Sequence, residues 1–231
     1  MNATNPVDTG TPENSAKMLR AMVGIGLMCA LMIVLTFEGT KPRIARLRAE
    51  ALEQAVFKVL PGITTMQPYE LTGDNTFSAA DGETEGPVVY AGYDEKGEFA
   101  GVAIEASGQG YADIIRILYG YHPEEQAVVG FYVLESKETP GLGDKIEKDQ
   151  NFLANFEALD VSLAENGESL LNVVEPVKSG EKDDPWEVDC ITGATISSRA
   201  IGDMLGESTQ RWIPLIYQNR ETFVKKNENA Q

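Results

Sequence analysis

Cysteine and histidine are nearly missing from this chain of 231 residues, where Cys29, Cys190 and His122 are all there is. Cys29 falls in an apolar run and Cys190 in a polar region, so a disulfide between them would have to join membrane to solvent, and none is expected. Two cysteines do not supply the four ligands of an ordinary iron-sulfur cluster or structural zinc site, and one histidine does not mend the shortage. Positive charge is scarce as well. The formal net charge is −17, and residues 51–231 hold 32 Asp and Glu against 13 Lys and Arg. Such a field repels nucleic-acid phosphates and anionic headgroups, which argues against a nucleic-acid partner and for a domain solvated outside the membrane. An acidic surface that serves solubility alone explains the charge equally well. Internal repeats and low-complexity stretches are missing too.

What remains is an ordinary globular composition, 42% hydrophobic and 24% charged, in a chain long enough for one substantial domain plus an anchor. Residues 1–17 read as a flexible polar tail. From Met18 to Phe37 the chain is apolar except for Arg20, and a helix of that length spans roughly the 30 Å of a hydrocarbon core, so residues 18–37 are expected to form a transmembrane helix. A cleaved signal peptide is the rival reading. The run is too long for it, and Glu38-Gly39-Thr40-Lys41 offers no small-x-small cleavage site. Ile44, Leu47, Ala51, Ala55, Val56 and Val59 form one stripe, so residues 38–62 are expected to be an amphipathic helical neck ended by Pro61-Gly62. Lys41, Arg43, Arg46 and Arg48 follow the span, and by count they would hold the domain inside. They serve equally as the solvated face of the neck.

The domain proper is expected over residues 63–218, with a tail over 219–231. After a polar stretch, Leu71 to Pro87, strands are expected at Val88–Tyr93 and Glu98–Ala106 around a hairpin loop ending in Gly97, then at Ile114–Tyr119 and Val128–Leu134. Asn151–Leu159 suits a short helix and Leu170–Val177 another strand. Ile196–Gln218 suits a longer helix interrupted by Pro214. Strands in a run with helices near the ends indicate an α+β fold.

Two segments carry chemistry. Asp189-Cys190-Ile191-Thr192-Gly193-Ala194-Thr195-Ile196-Ser197-Ser198 lies where strand-like sequence gives way to the last helix. Thr192 or Thr195 suits a helix cap, Gly193 a tight turn, and the free N–H groups of the first turn an anion. A Thr hydroxyl is also a point of esterification, and a phosphate there would have Arg199 nearby as counter-charge. Alone, the segment reads first as a cap. Glu138-Thr139-Pro140-Gly141-Leu142-Gly143-Asp144-Lys145 is a loop too rich in Pro and Gly to continue a strand. Its glycines permit close approach to a ligand, Leu142 suits a flat ring and Thr139 a hydrogen bond, although alone it reads as a surface loop.

Together the two segments resemble a known family. The chain resembles the G subunit of the Rnf electron-transport complex and, more distantly, the C subunit of the sodium-pumping NADH:quinone reductase. Asp189, Thr192, Gly193, Ala194 and Thr195 meet the flavinylation signature Asp-x-x-(Ser/Thr)-Gly-Ala-Thr. Glu138 to Gly143 meet Glu-Thr-Pro-Gly-Leu-Gly in full, and the continuation Asp144-Lys145-Ile146-Glu147 is similar to the Rnf branch. The likeness covers the anchor and nearly all of the remaining chain. It implies an FMN-binding domain with a mainly antiparallel sheet and flanking helices. It also implies FMN joined by a phosphoester to Thr195, placed there by a flavin transferase that uses FAD and a divalent metal, with Asp189 important to attachment. Thr139, Gly141 and Leu142 would then lie by the isoalloxazine, and Gly108-Gln109-Gly110-Tyr111 near it, unless Tyr111 is a core aromatic.

The resemblance further implies a relay subunit without catalytic residues or turnover of its own. It would work among other subunits of a membrane complex that couples electron transfer between reduced ferredoxin and NAD to sodium or proton movement. The domain would sit on the outer, periplasmic face of the cytoplasmic membrane, against the count of basic residues after the span. Two rivals stand beside this reading: the quinone reductase C subunit, which the Asp144 to Glu147 continuation opposes, and a membrane-tethered scaffold in which Thr195 merely caps a helix. The polar tail and the acidity depart from the family, and Cys190 fills a variable position to which no role is assigned.

Overall fold

The computed structural model describes residues 12–80, 84 and 86–224, so the expected tails lie outside the described residues over 1–11 and 225–231. The chain divides into two units, residues 1–50 and 51–231. Helix α1, Pro12–Val59, supplies most of the first, and every side chain described from Ser15 to Glu50 is exposed. Its apolar part is long and hydrophobic enough to cross a bilayer, with a mean hydropathy of 2.3 over its best 18 residues.

Strands β1 (Thr65–Leu71), β2 (Phe77–Ala79), β3 (Val88–Tyr93), β4 (Phe99–Gln109), β5 (Ile114–His122), β6 (Ala127–Glu135) and β7 (Leu159–Asp160) form one sheet in the order β2-β1-β3-β4-β5-β6-β7. All its pairings are antiparallel. A short 3-10 helix, Gly143–Glu147, and helix α2, Gln150–Ala154, follow β6. Next come the parallel pair β8 (Glu175–Val177) and β9 (Glu187–Asp189), and then helices α3 (Thr195–Gln218) and α4 (Arg220–Val224). The β1–β2 hairpin has no counterpart in the sequence reading, which began the strands at Val88. Pro68 and the turn residues around Gly73 and Asp74 obscure its alternation.

Alternation of side chains across the sheet gives it two buried faces. Ile115, Ile117, Tyr119 and Tyr121 of β5 join the larger core under α3, while Leu118 between them turns to a smaller cluster with Ala55, Val56, Val59 and Leu60. Residues 51–62, which the sequence reading grouped with the neck, thus pack on the sheet. Burying aliphatic side chains of this size contributes ~1.5–3 kcal/mol each. The paired Gly120 and Gly130 make that approach feasible, because a Cβ on either would collide with the Val59 carbonyl. Gly97 closes the β3–β4 hairpin at φ +78°.

Four local expectations need correction. The short helix expected over Asn151–Leu159 ends at Ala154, and Leu159 pairs with β6 as part of β7. Helix α3 begins at Thr195 and runs through Pro214 without interruption. The buried Trp212, Ile213 and Ile216 around the proline offset its cost of ~3 kcal/mol. The strand expected over Leu170–Val177 shrinks to an isolated bridge at Leu170 and the three residues of β8. Here Pro176 removes a ladder donor, and the segment instead covers α3, where Gly202 and Gly206 admit Pro176 and the Val174 carbonyl. The fourth concerns the cap of α3 and belongs to the site.

Candidate functional site

The turn before α3 is held by a serine rather than by either threonine. Ala194 is the cap residue, and no side chain among the described residues caps the helix. Ser198, fully buried, instead accepts from the Ile191 N–H at 3.1 Å and donates to the Ala194 carbonyl at 2.9 Å. Gly193 turns the chain at φ +84°, a conformation strained for any residue with a Cβ. The first turn of α3 therefore presents backbone N–H groups that no side chain covers, and Thr195 stands exposed beside them. Among the described residues its hydroxyl donates only to the Ile191 carbonyl, at 3.4 Å, which is long for an O–H donor.

The Glu138–Lys145 loop arrives from the end of β6. Asp144 stitches it shut, accepting from the Gly141 N–H at 2.7 Å and from the Lys148 ammonium at 2.5 Å. The bond to Lys148 holds the Asp144 carboxyl below the usual carboxylate range. With Gly141 at φ +80°, the tight turn projects Leu142 outward, and its side chain is 54% exposed.

These segments meet around a cavity of about 350 Å³. It is lined by Thr139, Leu142, Gly193, Thr195 and Ile196, with Tyr111 contributed from the turn after β4. Ala194 and Gly143 complete its floor beside Glu138 and Ser197. Leu142, Tyr111 and Ile196 are all more than half exposed, so three large apolar side chains face an open cleft of ligand size. Tyr111 is accordingly no core aromatic. A flat, partly apolar ring fits such a rim, and a phosphate fits the uncapped helix end beside Thr195.

Asp189 and Thr192 lie elsewhere. They line a neighbouring polar cavity of about 480 Å³ together with Lys145, Asp149 and Gly180. Asp189 accepts from the Gly180 N–H at 2.7 Å, and its backbone is clasped on both sides by the buried Asn155 at 3.1 and 3.2 Å. Lys145 reaches to within 3.6 Å of where a Gly193 Cβ would stand. Arg199, expected as a counter-charge, lines a third cavity with Asp203 and Glu207 instead, because at i+4 it shares the Thr195 side of α3 but stands a full turn further along the helix. Cys190 is buried, and burial pushes its thiol up, which suits an inert residue.

Sequence reasoning overlooked Glu138 and Ser197 as site residues. Their side chains meet at 2.6 Å across 59 residues of sequence, and both are buried. The only signal available was the acidic residue opening a loop otherwise made for close approach.

Comparison with known proteins agrees with this geometry. The model of the FMN-binding domain family matches residues 110–210, which includes both motifs and the cavity lining. The fold is similar to that of NqrC from Shewanella oneidensis, with a TM-score of 0.55, 18% identity and coverage of 79% of this chain and 98% of that one. It is also similar to the C subunit of the Na(+)-translocating NADH-quinone reductase from Parabacteroides distasonis, with a TM-score of 0.56, 17% identity and coverage of 80% and 98%. Fold and site thus define a protein with an FMN-binding domain that follows one helix long and apolar enough to cross a membrane. Among curated proteins the chain is 31% identical to the G subunit of the ion-translocating oxidoreductase complex of Methanosarcina acetivorans, over 82% of this chain and 89% of that protein. It is 35% identical to the protein of the same name from Cereibacter sphaeroides, over 76% and 74%. The chain belongs to the family of G subunits of ion-translocating oxidoreductase complexes.

Proposed function

We propose that this chain is the electron-relay subunit of an Rnf-type ion-translocating ferredoxin:NAD oxidoreductase, carrying FMN as a phosphoester on Thr195. Bound FMN accepts electrons in pairs or singly, which suits it to link carriers of both kinds. The chain itself supplies a tether, an apolar rim and an anchor. The observation that carries the reading is the placement of Thr195: exposed, at the uncapped start of α3, on the rim of the cavity that also holds Thr139 and Leu142. Thr192 opens onto the other cavity, which favours Thr195 of the two hydroxyls.

A flavin transferase using a divalent metal would supply the group from FAD. The Thr195 oxygen attacks the FMN-side phosphorus, the bond from that phosphorus to the AMP oxygen breaks, AMP departs and the hydroxyl proton passes to the transferase. Asp189 and Thr192, in the adjoining polar cavity, lie on the far side of the Gly193 turn, where an enzyme grasping the segment would meet them. Partner subunits pass electrons to and from the flavin, and the domain works on the outer face of the cytoplasmic membrane.

The experiment is co-expression of the full chain with the transferase, followed by in-gel fluorescence and peptide mass analysis. Wild type should hold fluorescence through denaturation, Thr195→Ala should fold but stay dark, and Thr192→Ser should label normally. FMN located on Thr192 or Ser197, or a fluorescent Thr195→Ala band, overturns the assignment.

A further inference from the structure

Glu138 is the one acidic side chain among the described residues lining the Thr195 cavity. It is only 6% exposed. One carboxylate oxygen accepts from the Ala112 N–H at 3.0 Å, the other from the Ser197 hydroxyl at 2.6 Å, and among the described residues no lysine or arginine pairs with it. It is also wedged between two backbones, because a Cβ on Gly110 or on Gly143 would collide with its oxygens. Three separate stretches converge on this one group: the turn after β4, the loop after β6 and the first turn of α3. Burying a carboxylate without a cation costs several kcal/mol, about what two hydrogen bonds to a charged group return, so an acid here brings the packing no clear gain.

We infer that Glu138 is the positioning residue of the flavin cavity, clamping its three walls together and holding a negative charge beside the ring that makes the flavin harder to reduce. The inference rests on the ring occupying this cavity. Electrons added to a ring beside an uncompensated carboxylate meet repulsion that poorly screened surroundings preserve. Replacement by Gln keeps the shape: its carbonyl still accepts from Ala112, and its amide donates to a Ser197 hydroxyl turned to accept. The charge alone is lost. Ser197→Ala does the opposite, leaving the charge while removing a donor that draws electron density from it.

The test is spectroelectrochemical titration of the full-length flavinylated chain, with mass analysis of the attachment site. Glu138→Gln should retain FMN and favour the reduced flavin by about tenfold, roughly 30 mV upward for a two-electron couple. Ser197→Ala should shift the potential downward. A Glu138→Gln potential equal to wild type, or shifts of the same sign in both variants, overturns the inference, the second because a merely loosened cavity would move both alike. If Glu138→Gln does not accumulate, Ser197→Ala decides: a downward shift supports the inference, and no shift or an upward one overturns it. FMN found on another residue of the wild type defeats the Thr195 assignment instead, and the potentials still judge Glu138.

Discussion

Leu142 is unusual for an apolar residue, standing more than half exposed on a loop whose every other feature serves to hold it there. Gly141 makes the turn, Asp144 and Lys148 close it, and Gly143 lies against Glu138 where a Cβ would not fit. An apolar side chain held at a cleft without burial of its own is poised to gain by covering a ligand. Leu142→Ala should therefore leave FMN attached but alter its absorption spectrum or midpoint potential, since lost cover solvates the oxidised and reduced rings unequally. Attachment is chemistry at the other end of the molecule, so fluorescence after denaturation should be unchanged. A spectrum and potential both equal to wild type would return Leu142 to the status of an ordinary loop residue.

At the scale of elements, the site depends on where α3 lies, and α3 is fixed from both ends. Its N-terminal turn is locked by Ser198, and beyond its C-terminus α4 folds back into the larger core. Phe223 of α4 is fully buried against Tyr69, Phe77 and Phe99, with ring centroids 5.0, 5.0 and 5.4 Å away, and the Tyr93 hydroxyl donates to its carbonyl at 2.9 Å. Residues 219–224 had read as the start of a tail because five residues carry too little periodicity to register as a helix. Phe223→Ala should cost about 3–5 kcal/mol, the range for emptying a buried aromatic site, read as a lower urea midpoint with an unchanged slope. A loss under about 1 kcal/mol would show that α4 contributes little to the core.

For the whole molecule the open question is sidedness. An exposed helix apolar over residues 18–37 and a domain with a large excess of acid suit a single-pass anchor with a solvated domain, while four basic residues follow the span. A reporter active only outside the cytoplasm, fused after Gln231, should be active. Activity confined to a cytoplasmic reporter would reverse the orientation, and a mature N-terminus near residue 40 would remove the anchor. The basic residues after the span argue only weakly for an inside domain, because Arg46 is already engaged with Glu50 at 2.7 Å along the helix.

Local chemistry was enough to determine the long apolar helix, the central antiparallel strands, the loop and the family, because hydrophobic length, period-two alternation and the two motifs are all written within short windows of chain. The partners of those segments were beyond its reach. Nothing in the sequence marks Gly120 and Gly130 as the place where the end of α1 lies, and Pro214 reads as a helix breaker until the buried side chains around it are seen. Asp189 and Thr195 share one motif but face different cavities, because the Gly193 turn sends the chain on either side of it in different directions. Glu138 and Ser197, 59 residues apart, carry no mark of each other in sequence. A hydrogen bond across that separation exists only once the sheet and α3 have packed, which is why only the tertiary structure decided which acid lines the Thr195 cavity.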